Sequence, residues 1–175
     1  MKKILLILFC LPMLGFGQQI PFWDNNFDVP SDWTLDNNGQ GAPNGWTIDA
    51  VNDGWWSTGG ITSTSGGNFA ELTNGDASAG TQVVNVTYTM TSANSIDVMS
   101  LAGTDAVMLS FEEFGARFND LQEVQISTDG INFTTVADNL SYTVLSQSGG
   151  SAYPNPASRI VNIQSAISNN PSSVW

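Results

Sequence analysis

From Ala106 to Val136 the chain reads AVMLSFEEFGARFNDLQEVQISTDGINFTTV. Val107, Leu109 and Phe111 fall on one side of an extended backbone and Met108, Ser110 and Glu112 on the other, because successive side chains of a strand point to opposite faces. After a polar link, Val124 and Ile126 alternate with Gln125 and Ser127, Asp129-Gly130 supplies turn chemistry, and Phe133 to Val136 returns. The pattern predicts a central strand followed by a β-hairpin.

The same period-two signal recurs along the chain. It is cleanest over residues 81–90, where Val84, Val86, Tyr88 and Met90 share one face and Val83, Asn85, Thr87 and Thr89 the other, as in a strand with one buried side. Shorter strands are predicted at 33–35, 46–51, 68–72, 95–98, 141–146 and 160–166, the last with Val161 and Ile163 inward, and a further one begins at Ser172. Between them lie turn-forming stretches: the Asp-, Asn-, Gly- and Pro-rich run 24–46, the connector STGGITSTSGG at 57–67, and Asn74-Gly75-Asp76. No stretch carries a helical stripe. Many short strands with frequent turns predict an all-β fold, a two-sheet antiparallel sandwich of jelly-roll type. Ser173-Val174-Trp175 reads as the first half of a strand whose second half is missing. The expectation is therefore a sandwich that lacks its last strand, truncated at its C-terminus.

The opening of the chain follows another logic. Lys2 and Lys3 precede an almost wholly apolar run from Ile4 to Phe16, and Gly15 and Gly17 are the small residues of a cleavage site. This predicts a secretory signal peptide over 1–17, too short for a membrane span, with a domain over 18–175. Cys10 follows Phe9 rather than a small residue, which argues against a lipid-modified cysteine. With the leader gone, the two lysines fewer take the net charge from −12 to −14, and Arg117 and Arg159 remain against 16 acidic residues. Nucleic acid and anionic membrane surfaces are poor partners for such a chain. The sequence contains no histidine, which removes imidazole bases, Ser-His nucleophile systems and the usual zinc sites.

Read in order, Asp24 to Phe27, Pro30, Trp33-Thr34, GWTID at 45–49, Asn74-Gly75-Asp76, LSFEEF and VQISTDG resemble the secreted jelly-roll domains of Bacteroidetes-type surface proteins, related to MAM-like and choice-of-anchor modules. The resemblance implies a non-enzymatic module beside catalytic or adhesive domains, in some cases with a structural calcium ion held between an early acidic loop and a later one. STDGINF, residues 127–133, resembles an Asp-box turn. Tyr153-Pro154-Asn155-Pro156-Ala157 resembles the start of a type IX secretion sorting domain; the plainer reading is a loop feeding strand 160–166 of the same sandwich.

Three chemistries follow as candidates. Asp24, Asp28, Asn74 and Asp76 offer the hard oxygen ligands that Ca²⁺ requires, or they cap turns. Trp55 and Trp56, in a glycine-rich stretch, offer aromatic faces for sugar rings, whereas Trp33 and Trp46 read as packing residues. Glu112 and Glu113 are adjacent, so on a strand they face opposite ways and cannot flank one glycosidic bond. Glu113 or its neighbour should instead be partly buried on Ser, Thr or Arg117. The sequence thus predicts a non-catalytic module, secreted or on the outer cell surface, serving adhesion or carbohydrate binding, with an extracellular glycan or surface protein as partner. A glycan-active enzyme or its accessory domain, and a structural spacer in a larger surface protein, are the competing readings.

Overall fold

The computed structural model describes residues 21–52, 63–75, 79–101, 106–146, 149–168 and 173–175. In chain order the strands are β1 (Trp33–Asp36), β2 (Gly45–Asp49), β3 (Phe69–Thr73), β4 (Thr89–Ser92), β5 (Ile96–Asp97), β6 (Met108–Glu113), β7 (Glu123–Ser127), β8 (Phe133–Asp138), β9 (Ala157–Asn162) and β10 (Ser173–Val174). The helical pieces among the described residues are one short helix, α1 (Gln164–Ile167), and 3-10 turns at Pro30–Asp32 and Met99–Leu101. All ladders are antiparallel: β1 with β4, β2 with β3, β5 with β10, β6 with β9, and β7 with β8. The fold is all-β. No described helix is long and apolar enough to cross a membrane.

The core is assembled by inward rows from paired strands. On β6, Leu109 and Phe111 turn inward, and on β9 Val161 does so, followed by Ile163 just beyond the strand. They meet Val98, Ile126, Ile167 and Val174, which are buried, with Ile96, Leu101, Val107, Val136, Ala137 and Ala166 packed around them. Ladder geometry explains the selection: each second residue of β6 and β9 faces the same side, and Leu109, Phe111 and Val161 fall on the inner one. The alternate row is left outside, so Met108 is 53% exposed and Ile160 65%.

The inward rows of β6 and β9 end in charge. Glu113 continues the row of Leu109 and Phe111, and Arg159 continues the row of Val161. A carboxylate at the rim of an apolar layer needs a counter-charge close by, and Arg159 supplies it at 2.9 Å.

The hairpin expectation holds. β7 and β8 pair from Glu123↔Asp138 to Ser127↔Phe133, with an irregularity between Val124 and Gln125. β10 pairs with β5 through Ser173↔Asp97 and Val174↔Ile96. Trp175 then exchanges backbone hydrogen bonds with Ser127, at 3.2 and 3.0 Å. These last residues therefore join β5 to the end of β7, and Val174 sits in the core at 3% exposure.

Several expectations are corrected. The run 81–90 is not one strand; only its end enters β4, and Val84 is 70% exposed. Asn85 adopts a left-handed backbone, φ 58°, which breaks the extended geometry despite the alternating pattern. Residues 141–146 keep their alternation, with Val144 buried, but form no strand. Their backbone is held by Arg117, which donates to the Leu140 and Tyr142 carbonyls at 3.0 and 2.7 Å and accepts from Leu145 N–H at 2.8 Å. The strand expected at 160–166 spans 157–162, and 164–167 turn helical. β6 carries a ladder with β9 on one side only among the described residues, so it is not a central strand there. In the described part of the connector, 63–67, Gly66 N–H donates to Ser63 O at 3.4 Å, and the Ser63 hydroxyl to Asn68 O at 3.2 Å.

Candidate functional site

The loop before β1 is built on side-chain-to-backbone bonds. Asn25 Oδ1 accepts the Phe27 N–H at 2.8 Å and the Trp33 indole N–H at 3.1 Å, and Asn25 Nδ2 donates to Asp32 Oδ2 at 3.0 Å. That one amide fixes the turn, orients Trp33 and aligns Asp32. Phe27 takes a left-handed backbone, φ 65°, which costs a non-glycine residue about 1 kcal/mol. Its ring stacks on Trp33 with centroids 5.2 Å apart, and the stacking offsets part of that cost. Trp23 meets Trp33 edge to face at 6.3 Å.

A second set of bonds ties this loop to β3. Asp28 Oδ2 accepts from Asn26 Nδ2 at 2.7 Å, while Asp28 Oδ1 accepts the Asn68 N–H at 3.2 Å. A Cβ at Gly67 would collide with Asp28 Oδ1, so only glycine leaves room for this latch.

Where the β1–β4 ladder ends, Trp33 lies opposite Ser92, and Ala93 N–H donates to Asp32 O at 2.7 Å. The chain then turns into β5. The gap between this ladder end and the start of β5 is a cleft of about 190 Å³, lined by Trp23, Asn25, Asp32, Ser92, Asn94, Ser95 and Ile96. Trp23 is 38% exposed. Ser92 Oγ lies just beneath the surface without a hydrogen-bond partner among the described residues. The side chains of Asn94 and Ser95 are exposed. The cleft thus joins an aromatic face to a carboxylate, two amides and two hydroxyls. Such a set grips a small polar ring through apolar area on one side and oriented hydrogen bonds on the other.

The residues singled out from sequence lie elsewhere. Trp55, Trp56 and Asp76 fall outside the described residues. Asp24 is exposed. Asp28 spends both carboxylate oxygens on the latch, and Asn74 donates to Val83 O and accepts from the Tyr88 hydroxyl, both at 2.9 Å. Asp28 is bound at the start of β3 and Asn74 follows its end, about 20 Å apart at the usual strand rise. Asp28 and Asn74 therefore sit at opposite ends of β3, and among the described residues no group of three or more His, Cys, Asp or Glu side chains could hold a metal ion. Trp33 and Trp46 are half-buried rather than members of the main core. What the sequence reading missed was Trp23, Asn25 and Asp32. The available signal was a tryptophan directly ahead of the run Asp24-Asn25-Asn26-Phe27-Asp28; the opposite wall gave none.

Glu112 and Glu113 face opposite ways as expected, outward and inward. The partner of Glu113 is Arg159, not Arg117. Arg159 also donates to the Tyr142 hydroxyl at 3.0 Å and to Asp138 O at 3.2 Å, with its guanidinium 5.2 Å from the Tyr142 ring centre. Burial pushes the Arg159 guanidinium down, but Glu113 and Tyr142 outweigh it and leave it above its ordinary value. Tyr142 packs on Tyr153 at 4.7 Å, and the Tyr153 hydroxyl donates to Gln122 Oε1 at 3.2 Å. Burial, followed by the nearby Glu113 charge, raises the Tyr153 phenol above 10.0. Asn139, 1% exposed, accepts the Gln122 N–H at 3.1 Å and donates to Asp120 O at 3.4 Å. This group is a clasp over the loop 138–142, with its charges matched internally.

The Asp-box-like turn is held by Asp129. Its carboxylate accepts the backbone N–H groups of Ile131 and Asn132 at 2.9 and 2.7 Å, the Asn132 amide at 2.7 Å and the Ser127 hydroxyl at 2.9 Å. These bonds, the Asn132 backbone first, hold Asp129 well below the usual carboxylate range. All four donors come from the turn itself, so its chemistry is structural.

The chain matches no family model, no curated protein and no solved structure.

Proposed function

We propose that this chain is a non-catalytic module, secreted or displayed on the outer cell surface, that binds carbohydrate through the Trp23 cleft and so serves adhesion. The observation that carries the reading is the pairing in one cleft of an exposed Trp23 with the Asn25–Asp32 amide–carboxylate couple. Sugars are recognised in this way: a ring face lies on an indole while planar polar groups bind hydroxyls. The cleft volume of about 190 Å³ is below the roughly 300–1,000 Å³ of pockets for drug-sized ligands, which suits a single ring or chain end. The leader-like residues 1–17 and the excess of acidic over basic residues favour an extracellular partner over nucleic acid. We further read the antiparallel ladders as parts of a two-sheet jelly-roll sandwich, in keeping with the resemblance of the motif order to secreted Bacteroidetes-type domains.

The test is a glycan array on the full chain, followed by titration of each hit by tryptophan fluorescence. Trp23→Ala should weaken binding about tenfold to a hundredfold, the usual worth of a stacked aromatic. A chain that binds no glycan, or whose binding survives Trp23→Ala and is lost in Trp55→Ala or Trp56→Ala, would move the site away from this cleft.

A further inference from the structure

The distribution of charge goes beyond the choice of a sugar, and it rests on the cleft reading above. Asp32 gives Oδ2 to Asn25 Nδ2 at 3.0 Å, and its other oxygen has no protein partner among the described residues. No cationic side chain lines the cleft. The two arginines beyond residue 17 are committed to the clasp, Arg117 to the carbonyls of Leu140 and Tyr142, and Arg159 to Glu113. With 16 acidic residues against 4 basic ones in the whole chain, the field around any surface carboxylate is negative. Beside Asp32 stands the exposed indole of Trp23, whose ring face also attracts a cation.

We infer that the cleft selects a sugar carrying a protonated amino group, an unacetylated hexosamine, over neutral and acidic sugars. The ammonium sits against the Asp32 carboxylate, whose free oxygen accepts a charge-assisted hydrogen bond, while the ring lies on Trp23. The hydroxyls reach Asn94 and Ser95. An N-acetyl group would remove the charge and add bulk in a cleft of about 190 Å³. A carboxylated sugar would be repelled by Asp32.

The experiment titrates the full chain, by tryptophan fluorescence in mildly acidic buffer, with glucosamine, glucose, N-acetylglucosamine and glucuronic acid. Glucosamine should bind about tenfold more tightly than glucose, a difference of about 1.4 kcal/mol. The preference should shrink as salt is raised. In Asp32→Asn, which keeps the planar shape and one acceptor that can face Asn25, the ratio of glucosamine to glucose affinity should fall from about ten to about one, whatever the change in glucose itself. The salt series on the unaltered chain reads the same charge if that variant does not fold. Equal affinity for glucosamine and glucose, or a preference indifferent to both salt and Asp32→Asn, overturns the charge selection and leaves the sugar cleft standing. Failure of all four sugars to bind overturns both.

Discussion

The clasp around Arg159 and the cleft beside Trp23 are made of the same materials and finished differently. Each sets a carboxylate near aromatic rings, with a side-chain N–H donor bound to one of its oxygens. In the clasp, Glu113 meets Arg159 at 2.9 Å, and Arg159 also donates to the Tyr142 hydroxyl and the Asp138 carbonyl. In the cleft, among the described residues, the Asp32 carboxylate meets an amide and no cation, Ser92 Oγ has no hydrogen-bond partner, and Trp23 stays 38% exposed. The difference lies in the carboxylates: Glu113 is ion-paired within the chain, while Asp32 has no cationic partner among the described residues, although the clasp too leaves one polar atom, Arg117 Nε, without a partner there. Buried polar groups are normally paired because an orphan costs about 1–3 kcal/mol, so an unfinished set in a cleft is informative where a finished one is not.

The sharpest way to break the comparison is to unpair the clasp. Arg159→Met should lower stability by about 2–3 kcal/mol, because it strands a partly buried Glu113. In a chain of this size that is a fall in Tm of roughly 5–10 °C by calorimetry. Asp32→Asn should change Tm by no more than about 2 °C, since it breaks no ion pair. Equal losses would mean that the two carboxylates play one role.

A smaller effect separates the regions by pH. Tyr153 has a folded value raised above 10.0. The proton is therefore held more tightly in the folded chain, and that contribution is fully present below pH 10.0 and lost as the pH rises through the folded value. Urea unfolding across this range should show the unaltered chain losing stability more steeply than Tyr153→Phe, and cleft substitutions should leave the slope unchanged. A slope shared with Tyr153→Phe would remove the clasp as its source.

The smallest effect has the opposite sign. Ser92→Ala deletes a buried hydroxyl that has no partner, so it should leave stability unchanged or raise it by up to about 0.5 kcal/mol. A loss above about 1 kcal/mol in urea denaturation would show that Ser92 is satisfied and that the cleft is less unfinished than argued.

Legibility from sequence follows the same division. The inward rows of β6 and the apolar pair Val161 and Ile163 were readable, because alternation at period two is a property of a strand alone. The hairpin was readable because Asp129-Gly130 names its own turn. Residues 81–88 misled, since nothing in the letters says that Asn85 takes a left-handed backbone. Tyr142 and Val144 kept the burial of a strand without its ladder, because side chains of Arg117 and Arg159, distant in sequence, do the holding. The cleft was half legible. Trp23 stands beside an asparagine- and aspartate-rich loop, but Ser92, Asn94 and Ile96 join it only because β1 pairs with β4. That Asp28 is bound at one end of β3 and Asn74 follows the other was hidden for the same reason: loop composition does not disclose which end of a strand each loop occupies.

Gly66 and Gly67 are one letter written twice, and they answer to unrelated demands. Gly66 holds a positive φ of 83° with open space around it, so what it needs is a torsion that asparagine can also reach. Gly67 needs the volume that a side chain would occupy, because an Asp28 oxygen already fills it. Position 66 therefore has some latitude for change, while a side chain at position 67 would displace the Asp28 carboxylate and cost the latch. Position 67 and Asp28 should therefore drift together or not at all, and a stretch that looks like slack in the chain is where the loop before β1 is pinned to the start of β3.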